Sequence, residues 1–137
     1  MRPKGRNLPS ASLAKFTNAV LSELGAPADA VGLALLSDAE VQDLNRRFRG
    51  LDRPTDVLSF PAGASAPGRE RYLGDVVIGL GVAARQARTR RHSLQIELER
   101  LLLHGLLHLA GFDHETDSGE MMELERSLWC RLGKGER

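Results

Sequence analysis

One cysteine, Cys130, is all the chain contains, so no internal disulfide can staple it, as secreted proteases often require. Its place beside Trp129 in an amphipathic tail reads as a small core or half-buried residue, and no role is assigned to it. Long apolar runs are missing too, so no segment is expected to span a membrane. The opening Met1-Arg2-Pro3-Lys4-Gly5-Arg6-Asn7 is basic but lacks the following apolar stretch of a signal peptide, which leads us to expect a cytoplasmic protein with no membrane partner. Neither internal repeats nor a phosphate-loop signature occur. Net charge is only +1 and by itself argues for no partner.

With 137 residues, 42% apolar and 27% charged, residues 1–137 fit one compact domain that buries its own core. The charges are unevenly spread. Basic residues gather at Arg2, Lys4 and Arg6, at Arg46, Arg47, Arg49 and Arg53, and at Arg85, Arg88, Arg90 and Arg91, whereas Asp113 to Glu125 is acidic. Each run is a solvated face or, if two basic groups converge on one site, the wall of a groove for an anionic substrate.

Apolar periodicity places the elements. Leu13, Phe16, Val20, Leu21 and Leu24 form a helical stripe closed by Gly25 and Pro27. Val31 to Leu36 is short and apolar, a buried strand. Ser37-Asp38-Ala39-Glu40 is a capping box that starts a helix to about Phe48, with Val41, Leu44 and Phe48 as its buried stripe and Asn45 a polar helix residue. Pro54 and Pro61 bracket a short strand suited to an edge, whose free side could hold an extended substrate. Ala62 to Arg71 reads as a surface loop, Asp75 to Ile78 as a strand, and Leu80 to Arg90 as a helix presenting Arg85 and Arg88 outward. Ser93 caps a nearly all-apolar helix to about Leu109, which belongs in the middle of the domain. A last helix from about Asp117 to Leu132 carries Met121, Leu124, Leu128 and Leu132. The class is α+β: a small mixed sheet of three to four strands with about five helices around the central one.

That central helix carries the chemistry. His104 to His114 holds three of the four histidines. His104 and His108 lie four apart, so on a helix they stack on one face about 6 Å apart along the axis. Gly111 can turn the chain back so that His114 reaches the same ion. Three imidazoles leave a coordination position for water. The spacing H-x-x-x-H-x-x-G-x-x-H is that of metzincin zinc proteases, but Gly105 stands where those carry their glutamate base. The ion is therefore expected and peptidase chemistry is not favoured. Imidazole ligands suit zinc, nickel, copper and iron. The plainer alternative is histidines that decorate a buried helix, where each ring nitrogen would still need a partner.

Three stretches together resemble the YbeY family of bacterial metal-dependent endoribonucleases of ribosomal RNA maturation. They are Leu44-Asn45-Arg46-Arg47-Phe48-Arg49 through Pro54-Thr55-Asp56-Val57-Leu58-Ser59-Phe60-Pro61, Leu73-Gly74-Asp75-Val76-Val77-Ile78, and the histidine stretch itself. The resemblance implies metal ligands at His104, His108 and His114, a functional arginine at Arg49, and zinc as the ion, with nickel or another divalent metal as alternatives. Asp113 is a candidate to orient a ligand or to serve a turn; Asp75 is a weaker one. Members usually begin with a further strand, of which Met1 to Ser10 would make a poor version.

The activity implied is single-strand-specific cleavage of RNA in 3′-end maturation of small-subunit ribosomal RNA and in ribosome quality control. Its partners would be ribosomal RNA and the small ribosomal subunit, with assembly factors or ribosomal proteins beside them. Two alternatives stay open from the residues: a non-catalytic RNA-binding assembly factor with a structural metal, and a metallopeptidase.

Overall fold

The computed structural model describes residues 10–62, 72–113 and 115–134. They form α1 (Ser10–Glu23), β1 (Val31–Leu36), α2 (Asp38–Arg49), β2 (Val57–Pro61), β3 (Gly74–Gly79), α3 (Leu80–Arg90), α4 (Leu94–Leu109) and α5 (Glu120–Arg131). This is the α+β arrangement expected. The expectations for an irregular N-terminus and for most of the loop after Ala62 fall on residues 1–9 and 63–71, outside the described residues.

The sheet order is β1-β3-β2. β1 runs parallel to β3 with Leu33 opposite Val76, and β2 runs antiparallel to β3 with Ser59 opposite Val76. β2 takes the edge, as its flanking prolines require. Strand alternation divides the side chains between two faces. On one face Leu35, Val76 and Ile78 join the main core with Leu98, Leu102 and Leu106 of α4, Val20 and Leu21 of α1, and Met121 and Leu128 of α5. On the other, Leu36, Leu58 and Val77 pack against Val41 of α2. Helix α4 thus lies between one face of the sheet and helices α1 and α5, as its all-round apolar sequence requires.

The capping box of α2 is formed: Ser37 Oγ accepts from Glu40 N and Glu40 Oε1 accepts from Ser37 N. Two expectations for this helix are corrected. Phe48 is 62% exposed rather than buried. The last turn of α2 reaches the edge strand, where Phe48 meets Phe60 edge-on at 5.3 Å, and both border an open cavity of about 490 Å³. Asn45 is instead the buried residue of that turn, its Nδ2 donating to Arg53 O at 2.9 Å and tying α2 to the segment before β2. Cys130 is exposed rather than in the core, because Leu128 and Trp129 occupy the inward positions of α5. Helix α5 also starts later than its apolar pattern suggests. Asp117 stays outside it and caps it, accepting from Gly119 N and Met121 N.

Glu97 is fully buried between α3 and α4. It accepts from Arg90 and pairs with the His92 ring, each at 2.6 Å, so its charge is both paired and hydrogen-bonded as a buried carboxylate requires.

Candidate metal centre

Helix α4 is capped by Ser93, whose Oγ accepts from Ile96 N at 3.1 Å. It stops where Ala110 is followed by Gly111 at φ 104°, the left-handed conformation expected of that glycine. Within it the four-residue spacing brings His104 and His108 onto one half-buried face, ring centroids 4.7 Å apart. Their Nε2 atoms are 3.2 Å from each other. Two imidazoles on one tetrahedral zinc at ~2.0–2.1 Å would hold their ligating nitrogens about 3.3 Å apart. The described pair therefore fits such an ion, which would lie beside both Nε2 atoms.

The other nitrogen of His104, Nδ1, faces Glu125 Oε2 of α5 at 3.5 Å. Glu125 raises the pKa of His104 above the usual imidazole value, first through their hydrogen bond; burial opposes it, and the charges of Glu125 and Asp56 add to it. Asp56 stands at the start of β2. Its Oδ1 accepts from Val57 N at 2.7 Å and its Oδ2 from Gln86 Nε2 at 3.3 Å, so it is held between strand and α3.

Gly105 looks the other way, into the sheet. A Cβ there would lie 2.9 Å from Val76 Cγ1 and 3.2 Å from Ser59 Oγ, and Ser59 Oγ donates to Gly105 O at 3.1 Å. The position after His104 thus seats the helix on the sheet and has no room for the glutamate a metzincin carries.

His114 lies outside the described residues. Among the described residues no group of three His, Cys, Asp or Glu is gathered as for a metal. Asp113 is exposed and builds the turn after α4, its Oδ1 accepting from Glu115 N and its carbonyl from Thr116 N and Asp117 N. Asp75 is exposed and takes the Tyr72 hydroxyl. Arg49 ends α2 and is exposed. Its neighbours Arg46 and Arg47 both pair with Asp43, while Arg49 makes no side-chain hydrogen bond or ion pair among the described residues. That contrast separates Arg49 from Arg46 and Arg47 but not from Arg53, which is exposed and likewise makes no side-chain ion pair among the described residues. Glu125 went unnoticed in the sequence because it belongs to an acidic run; the available signal was its register with Met121 and Leu128.

The profile of the family described as Endoribonuclease YbeY matches residues 4–133. The chain belongs to the YbeY family. A YbeY endoribonuclease of Aquifex aeolicus is 40% identical over 134 residues, covering 96% of this chain and 89% of the relative. One from a Picosynechococcus strain is 43% identical over 136 residues, covering 89% and 83%. Among solved structures, the solution structure of TM1509 from Thermotoga maritima superposes with a TM-score of 0.62 at 29% identity, covering 99% of this chain and 97% of that one. The YbeY match thus extends through α4 and α5, taking in both described imidazoles and Glu125.

Proposed function

We propose that this chain is a metal-dependent endoribonuclease that cuts single-stranded RNA, acting in 3′-end maturation of small-subunit ribosomal RNA and in ribosome quality control in the cytoplasm. The YbeY relatives are named endoribonucleases, and the observation that carries the metal-dependent part is the approach of His104 Nε2 to His108 Nε2 at 3.2 Å. His104, His108 and His114 would hold one ion, zinc by preference or nickel or another divalent metal. When bound, it supplies Lewis acidity towards a phosphoryl oxygen and lowers the pKa of a water. Arg49 contributes a guanidinium without an ion-pair partner among the described residues, able to take two phosphate oxygens at once and to stabilise charge that grows there as the bond breaks.

The substrate is ribosomal RNA on or from the small subunit, with assembly factors or ribosomal proteins as neighbours. The test compares wild type with Arg49→Ala on a labelled RNA carrying a small-subunit 3′ end. Cleavage falls by ~100-fold or more while zinc content stays at the wild-type level, in the range seen for loss of a transition-state donor. Loss of zinc from Arg49→Ala would refute the phosphate role, and unchanged cleavage would refute its participation.

A further inference from the structure

Glu125 occupies the centre of the face that α5 turns towards α4. Met121 and Leu128, four residues before and three after it, are 0% and 1% exposed, so one helical face carries all three. The helix is anchored at both ends of this face. Asp117 Oδ2 accepts from Met121 N at 2.8 Å, and Trp129 packs edge-on against Phe16 of α1 at 6.0 Å. Glu115, Glu120 and Glu123 of the same acidic run are exposed, whereas Glu125 is half-buried. Among the described residues no lysine or arginine forms an ion pair with it, and its Oε2 lies 3.5 Å from His104 Nδ1. A solvated acidic face would not place one carboxylate of the run inward and against an imidazole.

The two nitrogens of His104 therefore have different surroundings, Nδ1 facing a carboxylate and Nε2 facing His108. Which nitrogen of an imidazole carries the proton is set by the hydrogen bond the other atom makes. A carboxylate at Nδ1 holds the proton there, leaves the Nε2 lone pair free and makes it more basic.

We propose that Glu125 is a positioning residue for the metal centre: by accepting the Nδ1–H of His104 it fixes that ring's tautomer and direction, so that Nε2 is presented to the ion. This rests on the reading of His104 and His108 as ligands. Glu125 itself touches neither ion nor RNA in this role.

Ring ¹⁵N spectra of the metal-free protein, taken at a pH where the imidazoles are neutral, test the tautomer directly, with the His104 signals assigned by comparison with His104→Gln. Wild type shows His104 as the Nδ1–H form. Glu125→Leu shifts it towards the Nε2–H form, and Glu125→Gln, whose amide oxygen still accepts, stays close to wild type. Zinc affinity, measured by competition with a chromophoric chelator, falls about 10–100-fold in Glu125→Leu and less in Glu125→Gln. The urea midpoints of the metal-free variants check that the fold is kept. Unchanged tautomer and affinity in Glu125→Leu would overturn the proposal. So would equal losses in both variants, since the amide retains the acceptor. If wild-type zinc binding survives in Glu125→Leu but is lost in His108→Ala, Glu125 alone is refuted. If wild type binds no zinc, the metal reading falls and the proposal with it.

Discussion

Replacing Gly105 by alanine sets two opposed effects against each other on the helix that carries the imidazoles. In an isolated helix the change stabilises by about 1 kcal/mol, because glycine is the poorest helix former after proline. Here the new Cβ would stand 2.9 Å from Val76 Cγ1 and 3.2 Å from Val76 Cγ2, against the ~3.5–4.0 Å of a comfortable carbon contact. Val76 is fully buried in the central strand, and a β-branched side chain has little rotamer freedom with which to retreat. The helix must then lift from the sheet and stretch the 3.1 Å bond from Ser59 Oγ to Gly105 O. Overpacking of this kind costs ~1–3 kcal/mol. The net expectation is a loss of about 1 kcal/mol, which at an m-value of ~2 kcal/mol/M lowers the urea midpoint by about 0.5 M. Val76→Ala is destabilising alone but relieves the clash, so the double variant is more stable than the sum of the two losses, by ~0.5 kcal/mol or more. A raised midpoint in Gly105→Ala, or strict additivity with Val76→Ala, would refute the close seating of α4 on β3.

Two further outcomes follow from the charged groups. Glu97→Leu removes a carboxylate with two partners, Arg90, which is 48% exposed and can return to water, and His92, which stays in the interior; it costs ~2 kcal/mol by urea denaturation, the scale of a lost charge-assisted hydrogen bond. The Arg90→Ala/His92→Ala double variant, which strands that carboxylate in the interior, costs more, ~3–5 kcal/mol; the opposite ranking would contradict the burial of Glu97. The carboxyl of Glu40 is held below its usual value, first by the Ser37 backbone amide and then by the Ser37 hydroxyl. A lowered folded pKa means that its contribution is complete above the ordinary glutamate range and is lost as pH falls through the lowered value. Glu40→Ala therefore melts below wild type at neutral pH, and the gap closes in acid; a gap independent of pH would contradict the capping box.

Much of this architecture can be read from periodicity and punctuation. Helix α3 has the expected limits, with Gly79 before it and Arg91 ending it in a left-handed conformation at φ 61°, and α4 starts at the serine that caps it. The edge position of β2 follows from proline's missing N–H. What periodicity could not supply was depth. Phe48 sits on the apolar stripe of α2, yet the helix carries it to the sheet edge; Asn45, a polar residue one turn earlier, is buried because a backbone carbonyl of the next segment meets it. Glu97 is buried within the apolar α4 and Glu125 is half-buried within an acidic run; their partners come from other segments, and no local pattern announces them. The proximity of His104 and His108 was legible because a four-residue interval puts two side chains on one helix face, where their rings meet at 4.7 Å. Arg49 was singled out only through family resemblance; among the described residues it makes no side-chain hydrogen bond or ion pair, whereas Arg46 and Arg47 pair with Asp43.

The most direct test of a metal-dependent endoribonuclease is the cleavage rate on single-stranded small-subunit 3′-end RNA, followed as zinc is added back to chelator-stripped protein, beside His108→Ala from the same preparation. The account predicts a rate that climbs from background and levels off near one equivalent of zinc, with the variant flat throughout. A stripped protein that cuts at full rate, or a variant that cuts as well as wild type, would contradict it.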